Sequence, residues 1–213
     1  MTPRIDSDAL AARLRERHGC TTVLLYGSVA RGEDGPESDI DVMGFRDAQG
    51  HENDTSEFQG RLLDAWIKPI GELENAVAGR PEDREPFLHV AGGIPLADPE
   101  GLLARLLEQV AAEGALPVHV DSKRRAFLSS WCRKMVQRAR KGDPEGDFRL
   151  HWLLTDALSI AFQFMERRYP GPKAALKVLA AENPELHARF VAALKPGAPL
   201  EAVERLLDGM DAL

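Results

Sequence analysis

The stretch Leu24–Phe45, LLYGSVARGEDGPESDIDVMGF, constrains the fold more than any other part of the chain. It begins in a β-prone apolar run, and Gly27 and Ser28 then let the backbone turn sharply, because glycine tolerates dihedral angles that other residues avoid. Turn-forming residues occupy Glu33–Glu37, and Ser38–Phe45 resumes an apolar alternation. The stretch therefore predicts a strand, a tight loop that a phosphate can approach, and a second strand.

Two carboxylates alternate along the second of these strands. Asp39 and Asp41 are two residues apart, so a strand places both on one face and turns Ile40 and Val42 toward the core. Like charges at this spacing repel each other unless a divalent cation lies between them, and Mg²⁺ prefers oxygen ligands and shares them with substrate phosphates. The alternative is that both residues are solvated on an edge strand. The Gly-Ser turn upstream favours the cation, because it adds a phosphate site beside a metal site.

Gly27-Ser28, a spacer and Asp39-Ile40-Asp41 together resemble the signature of the polymerase-β-like nucleotidyltransferase superfamily. More narrowly, they are similar to the small two-domain bacterial enzymes that include kanamycin nucleotidyltransferase, and to the minimal nucleotidyltransferases of toxin–antitoxin pairs. The stretch that carries the motif covers about a tenth of the chain, but the motif is specific. The resemblance implies an α+β fold, in which a small mixed nucleotidyltransferase sheet flanked by helices precedes an all-α helical bundle.

A third acidic residue is expected on a neighbouring strand. The run Arg61–Pro69, RLLDAWIKP, alternates so that Asp64 falls on one face and Leu63, Ala65 and Ile67 fall on the other. The resemblance implies a third carboxylate at this point of the chain, and Asp64 is the acid in this run. A solvated strand residue is the alternative. We expect Asp64 to complete a carboxylate triad.

The resemblance also implies an activity. It implies an enzyme that moves AMP, or another nucleoside monophosphate, from ATP or another nucleoside triphosphate to a hydroxyl of a small-molecule acceptor and releases pyrophosphate. Asp39, Asp41 and Asp64 would be catalytic and would hold two Mg²⁺ ions. An aminoglycoside-like antibiotic is one candidate acceptor. The alternative is a protein adenylyltransferase, or an antitoxin-type module that modifies or binds a partner protein.

Three residues are candidates for contact with the nucleotide. Gly27 and Ser28 would bind the phosphates, as in the family that the motif resembles. In related two-domain enzymes a segment similar to the one that follows Arg167 presents a lysine to the nucleotide, and by position that lysine is Lys173. A solvated lysine at the start of a helix is the other interpretation of Lys173.

The pattern of apolar residues changes near Gly114–Pro117. Before it, strand and helix patterns mix, and after it every segment has helical spacing, which predicts a catalytic domain over 1–116 and a helical bundle over 117–213 that contacts the acceptor or the nucleotide. Within the first part, Asp8–His18 predicts a helix capped by Ser7 or Asp8. Three other predictions are an exposed loop at 47–55, two short strands at 87–96 and a helix at 98–112 that Asp98 caps.

Charge and composition limit the partners. Residues 1–116 carry 11 Lys+Arg and 22 Asp+Glu, net −11, whereas residues 117–213 carry 16 and 12, net +4. So small a positive charge argues against extended binding of nucleic acid. No apolar run reaches the roughly 18 to 20 residues of a membrane span, and no signal-peptide pattern is found, so we expect a cytoplasmic protein without a membrane contact. The sequence is compatible with a homo-oligomer.

Overall fold

The computed structural model of the chain describes residues 5–213. The chain divides into two compact units, one ending at Ala115 and the other running from Leu116 to Leu213. The first unit combines a mixed sheet with helices, and the second contains helices and turns. The predicted α+β fold class is confirmed. No helix within residues 5–213 is both long enough and apolar enough to cross a membrane.

The first unit is built on a six-stranded mixed sheet. Its strands are β1 (Thr22–Leu25), β2 (Ile40–Arg46), β3 (Glu52–Asp54), β4 (Glu57–Phe58), β5 (Arg61–Pro69) and β6 (Ile94–Ala97). Its helices are α1 (Ser7–His18), α2 (Gly27–Ala30), α3 (Ile70–Ala78), α4 (Pro81–Arg84) and α5 (Leu102–Gly114), with a 3-10 helix over Glu85–Val90. The strand order is β3-β5-β2-β1-β6, and β4 pairs with β5. β2 and β5 run parallel, and the other pairs run antiparallel.

The two faces of the sheet pack against different helices, because successive strand residues point to opposite sides. On one face the inward residues of β1, β2 and β5 bury Leu10 and Leu14 of α1. On the other face the sheet packs against Leu73 of α3 and against Leu103 and Leu106 of α5. Both faces are therefore covered by helices, and α1 lies on the side opposite to α3 and α5.

The second unit is a set of helices around one core. They are α6 (Ser122–Ala139), α7 (Pro144–Phe164), α8 (Pro172–Glu182), α9 (Pro184–Ala193) and α10 (Leu200–Asp211). Three of these helices begin at a proline, where the missing backbone N–H would have had no partner within the helix. Leu153, Phe190 and Leu206 are fully buried in the shared core. The helical pattern predicted for this part of the sequence is thus observed.

Two local predictions in the first unit are wrong. The segment predicted as a loop at 47–55 contains β3, which pairs antiparallel with β5. The first of the two strands predicted at 87–96 is a 3-10 helix, in which Phe87 and Val90 are buried three residues apart, as a helix with three residues per turn requires. β6 is the only strand of this segment.

Two helix starts differ from the predicted ones. Asp6, rather than Ser7 or Asp8, caps α1 by accepting a hydrogen bond from the Ala9 amide at 3.0 Å. The helix predicted from residue 98 begins at Leu102, although Asp98 still accepts hydrogen bonds from two amides of its first turn.

A buried carboxylate fixes β3 to the rest of the first unit. Asp54 is 6% exposed, and its oxygens lie 2.8 Å from His18 Nε2, 3.0 Å from the Ser56 amide nitrogen and 3.4 Å from Arg17 Nη1. Burial alone would raise the pKa of Asp54, but hydrogen bonds from Ser56 and His18, with the charge of Arg17, lower the pKa to about 2.

We expect Asp54→Asn to lower the free energy of unfolding at neutral pH by about 2 kcal/mol, because the pKa of Asp54 falls from 3.8 to about 2 on folding. A depressed pKa contributes stability that is complete above about pH 4 and is lost as the pH falls toward about 2. Urea denaturation of the two proteins at several acidic pH values measures this loss. Asp47→Asn, at an exposed position of the adjoining turn, is the control. A stability difference that did not shrink on acidification would contradict the assignment.

Candidate active site

The turn between β1 and α2 is shaped by a glycine that cannot be replaced without displacing a neighbour. Gly27 has φ +70°, which favours glycine. A Cβ atom at this position would lie 1.8 Å from Asp41 Oδ2 and 2.6 Å from its Cγ. The Asp41 carboxylate therefore rests directly on the backbone of the turn, and Ser28 follows in the first residues of α2.

The structure brings the strand carboxylates together at one end of the sheet. Asp41 on β2 and Asp64 on β5 are register partners across the parallel pair, and neighbouring strands lie about 4.8 Å apart. Asp39 immediately precedes β2, two residues before Asp41. All three side chains belong to half-buried residues. The three acids and the glycine turn thus lie in one region of the first unit.

The electrostatics of two neighbouring groups show that the three charges act at the same place. Burial raises the pKa of Asp41, and the charges of Asp39 and Asp64 raise it further, while Arg31 lowers it. Burial and the same three aspartates raise the pKa of Tyr26, which follows β1, to about 12. The Tyr26 phenol is therefore protonated at neutral pH and can donate a hydrogen bond here.

The donor set has the chemistry of a hard-cation site. Carboxylate oxygens are the ligands that Mg²⁺ prefers, and a cation would relieve the repulsion that raises the pKa of Asp41. Within residues 5–213, no three His, Cys, Asp or Glu side chains are arranged as a ready-made metal cluster. The residues thus fit the ion by type and by their common location, and they would have to draw together around it.

Asn53 is a polar neighbour of the triad that sequence reasoning missed. Its Nδ2 donates to Asp64 Oδ1 at 2.8 Å and lies 3.4 Å from the Ala65 carbonyl oxygen. Asn53 comes from β3, the strand absent from the predicted sheet, so no local pattern linked it to Asp64.

Arg61 is a second missed residue, and it holds the loop that precedes β2. It is 7% exposed. Its guanidinium donates to the Ser38 carbonyl oxygen at 2.8 Å, to Asp34 Oδ2 at 2.9 Å and to the Asp39 carbonyl oxygen at 3.4 Å. The strand alternation contained the signal, because Arg61 occupies the inward side together with Leu63. A charged residue at an inward position needs partners, and here these partners fix the backbone of Asp39.

We expect Arg61→Met to lower the free energy of unfolding by about 3 kcal/mol, because it leaves the partly buried Asp34 carboxylate and two carbonyl groups without their donor. Chemical denaturation measures the loss. Arg80→Met removes a guanidinium whose side chain is 79% exposed and should change the stability by less than about 0.5 kcal/mol. Combining Arg61→Met with Asp34→Asn should restore part of the loss. Equal effects of the two arginine variants would contradict the role of Arg61.

Lys173, the predicted nucleotide contact, is exposed in the first turn of α8 in the second unit. The other predicted site residues all belong to the first unit. The role of Lys173 stays a prediction.

Comparison with known proteins identifies the class of the first unit. Residues 8–84, which contain the glycine turn and all three aspartates, match the model of a family described as nucleotidyltransferase domain. No curated protein matches the chain. A nucleotidyltransferase-like protein from Exiguobacterium sibiricum 255-15 is a similar solved structure, with 9% identity, a TM-score of 0.42, and coverage of 96% of this chain and 73% of that chain.

The predicted resemblance is therefore confirmed. The first unit carries a nucleotidyltransferase domain, the class of domain that transfers a nucleoside monophosphate.

Proposed function

We propose that the protein is a magnesium-dependent adenylyltransferase that moves AMP from ATP to a hydroxyl of a small-molecule acceptor. The pairing of Asp41 with Asp64 in register, with Asp41 resting on Gly27, is the observation that carries the proposal. It places the acids beside the turn to which the motif assigns the phosphates.

The site residues divide three tasks in this reaction: binding the phosphates, holding the metal ions and accepting the hydroxyl proton. Gly27 and Ser28 bind the β- and γ-phosphates. Asp39 and Asp41 would hold two Mg²⁺ ions, with Asp64 as the ligand on the acceptor side, and the bound ions would supply positive charge to the attacking and leaving oxygens. The acceptor oxygen forms a bond to the α-phosphorus, the bond from that phosphorus to the bridging oxygen breaks, and pyrophosphate leaves. Asp64 is the carboxylate placed to take the hydroxyl proton.

The charge of the first unit favours a cationic acceptor. Residues 1–116 carry a net charge of −11, which attracts polyamines such as an aminoglycoside and repels an acidic acceptor. The second candidate is transfer to a side chain of a partner protein, by analogy with the minimal enzymes of toxin–antitoxin pairs. Lys173 would contribute to nucleotide binding in either case.

Transfer is tested with ATP labelled at the α-phosphate. The protein is incubated with this ATP and Mg²⁺, with a panel of aminoglycosides in one arm and a lysate of a bacterial cell in the other. Label in an antibiotic, with stoichiometric pyrophosphate, supports the proposal, and label on a polypeptide supports the second candidate. ATP labelled at the γ-phosphate is the control, because its label should appear only in pyrophosphate. Absence of any Mg²⁺-dependent transfer of the α-label would contradict both.

A further inference from the structure

The hydrogen bond between Asn53 and Asp64 depends on a short edge strand. β3 has three residues and pairs with β5 alone. Asn53 lies opposite Trp66, so its side chain shares the sheet face of Asp64 and reaches it diagonally at 2.8 Å. The backbone hydrogen bonds to β5 hold a strand of this length only weakly. The position of Asn53 must therefore be fixed from outside β3.

A buried histidine at the end of α1 supplies that attachment. Glu52 and Asp54 flank Asn53 and point to the opposite face. His18 Nδ1 lies 2.9 Å from Glu52 Oε1, and His18 Nε2 lies 2.8 Å from Asp54 Oδ2. His18 is 8% exposed. The imidazole ring thus contacts both residues of β3 that flank Asn53.

The hydrogen bonds to Glu52 and Asp54 require a proton on both ring nitrogens of His18. A carboxylate oxygen only accepts, so each contact requires an N–H on the ring, and a neutral imidazole has one N–H. The imidazolium donates to Glu52 and Asp54 at once. Loss of one proton would leave a ring lone pair facing a carboxylate at hydrogen-bond distance, and one of the two contacts would open.

Other charged groups surround the pair of carboxylates. Arg46 of β2 lies 2.9 Å from Glu52 Oε2 and donates to the His18 carbonyl oxygen at 3.5 Å. Arg17 of α1 lies 3.4 Å from Asp54 Oδ2. The Ser56 amide donates a hydrogen bond to Asp54, and Arg13 Nη2 donates one to the Ser56 hydroxyl at 2.8 Å. Arg17 and Arg46 thus place positive charge beside the same two carboxylates that His18 contacts.

Two further neighbours, Cys20 and β6, add no charge. Burial raises the pKa of the Cys20 thiol to about 11, so this group is neutral at physiological pH. β6, which also packs against α1, consists of Ile94, Pro95, Leu96 and Ala97 and has no ionisable side chain.

We propose that His18 and Asn53 are positioning residues for Asp64: protonated His18 fixes β3, and Asn53 on that strand orients the Asp64 carboxylate. The proposal rests on the proposed function in so far as Asp64 is the acceptor-side carboxylate. The charge state of His18 is then coupled to the orientation of the Asp64 carboxylate. Residues that orient a metal ligand by hydrogen bonding are typically worth 10-fold to 100-fold in metal affinity.

The coupling is measured first without metal or nucleotide. The side-chain amide signals of Asn53 are followed by NMR in labelled full-length protein between about pH 5 and 9, together with the ring signals of His18. In the wild type the Asn53 amide should shift with the same midpoint as the His18 ring. In His18→Gln this shift should vanish, whereas His51→Gln, which changes an exposed histidine beside the same strand, should keep it. An Asn53 amide that does not titrate, or titrates equally in His18→Gln, overturns the proposal.

The consequence for Asp64 is measured by Mn²⁺ binding with a non-hydrolysable ATP analogue, followed by electron paramagnetic resonance. Asn53→Ala should weaken the binding of one Mn²⁺ ion by about 10-fold or more. His18→Gln should weaken it in the same direction, and His51→Gln should not. Wild-type affinity in a folded Asn53→Ala variant overturns the proposal. If the wild type binds no Mn²⁺, the proposed function fails instead. The NMR titration alone then decides whether His18 and Asn53 position Asp64.

Discussion

Asp41→Asn should abolish nucleotidyl transfer, with a loss of at least about a thousandfold, and should at the same time make the metal-free protein more stable. The activity falls because a carboxylate that binds the cation becomes a neutral amide. The stability rises because burial, Asp39 and Asp64 raise the pKa of Asp41 on folding. At neutral pH its ionised form therefore lowers the free energy of unfolding, and the amide does not.

Both effects are measurable on one preparation. Transfer of the α-label reports the activity, and thermal unfolding in the presence of a chelator reports the stability. Asp47→Asn, which removes an exposed carboxylate outside the site, should change neither. Undiminished turnover of Asp41→Asn would refute the catalytic assignment, and a lower melting temperature would refute the electrostatic account.

Gly27→Ala should have the second largest effect. Its Cβ would lie 1.8 Å from Asp41 Oδ2, so the carboxylate has to rotate away from the turn. We expect activity to fall by about 100-fold or more, because displacements near 1 Å already have effects of this size. The positive φ adds strain of about 1 to 2 kcal/mol. Steady-state kinetics and urea denaturation measure the two effects.

Gly32→Ala separates the clash from the strain. Gly32 has φ +66°, close to that of Gly27, but nothing lies within 4 Å of the Cβ position. Gly32→Ala should therefore lose stability as Gly27→Ala does, but it should keep most of the activity. Equal activities of the two variants would show that the contact between Gly27 and Asp41 has no role in catalysis.

The parts of the site that the sequence predicts are those encoded by short-range patterns. Gly27, Asp39 and Asp41 lie within 15 residues of one another, and the alternation of β5 alone assigns Asp64 to a face. The pairing of β2 with β5 was supplied by the resemblance, and the structure shows it as a parallel pair in register at Asp41 and Asp64. The catalytic roles of these residues stay predictions until activity is measured.

The missed parts depend on contacts between residues far apart in the chain. β3 has the sequence Glu-Asn-Asp, with neither apolar alternation nor β-branched residues, and it is a strand because β5 pairs with it and His18 holds its two acids. His18 and Asp54 are 36 residues apart, so spacing could not connect them. Arg61 differs, because its inward position in β5 could have been recognised as a charge in need of partners.

The central claim is that Asp39, Asp41 and Asp64 hold divalent cations beside the turn at Gly27. A crystal grown with Mn²⁺ and a non-hydrolysable ATP analogue tests it most directly, because anomalous scattering locates Mn²⁺ without ambiguity. We expect anomalous peaks among the three carboxylates, with the β- and γ-phosphates bound at Gly27 and Ser28. A nucleotide bound elsewhere, or three carboxylates without an anomalous peak at saturating Mn²⁺, would contradict it.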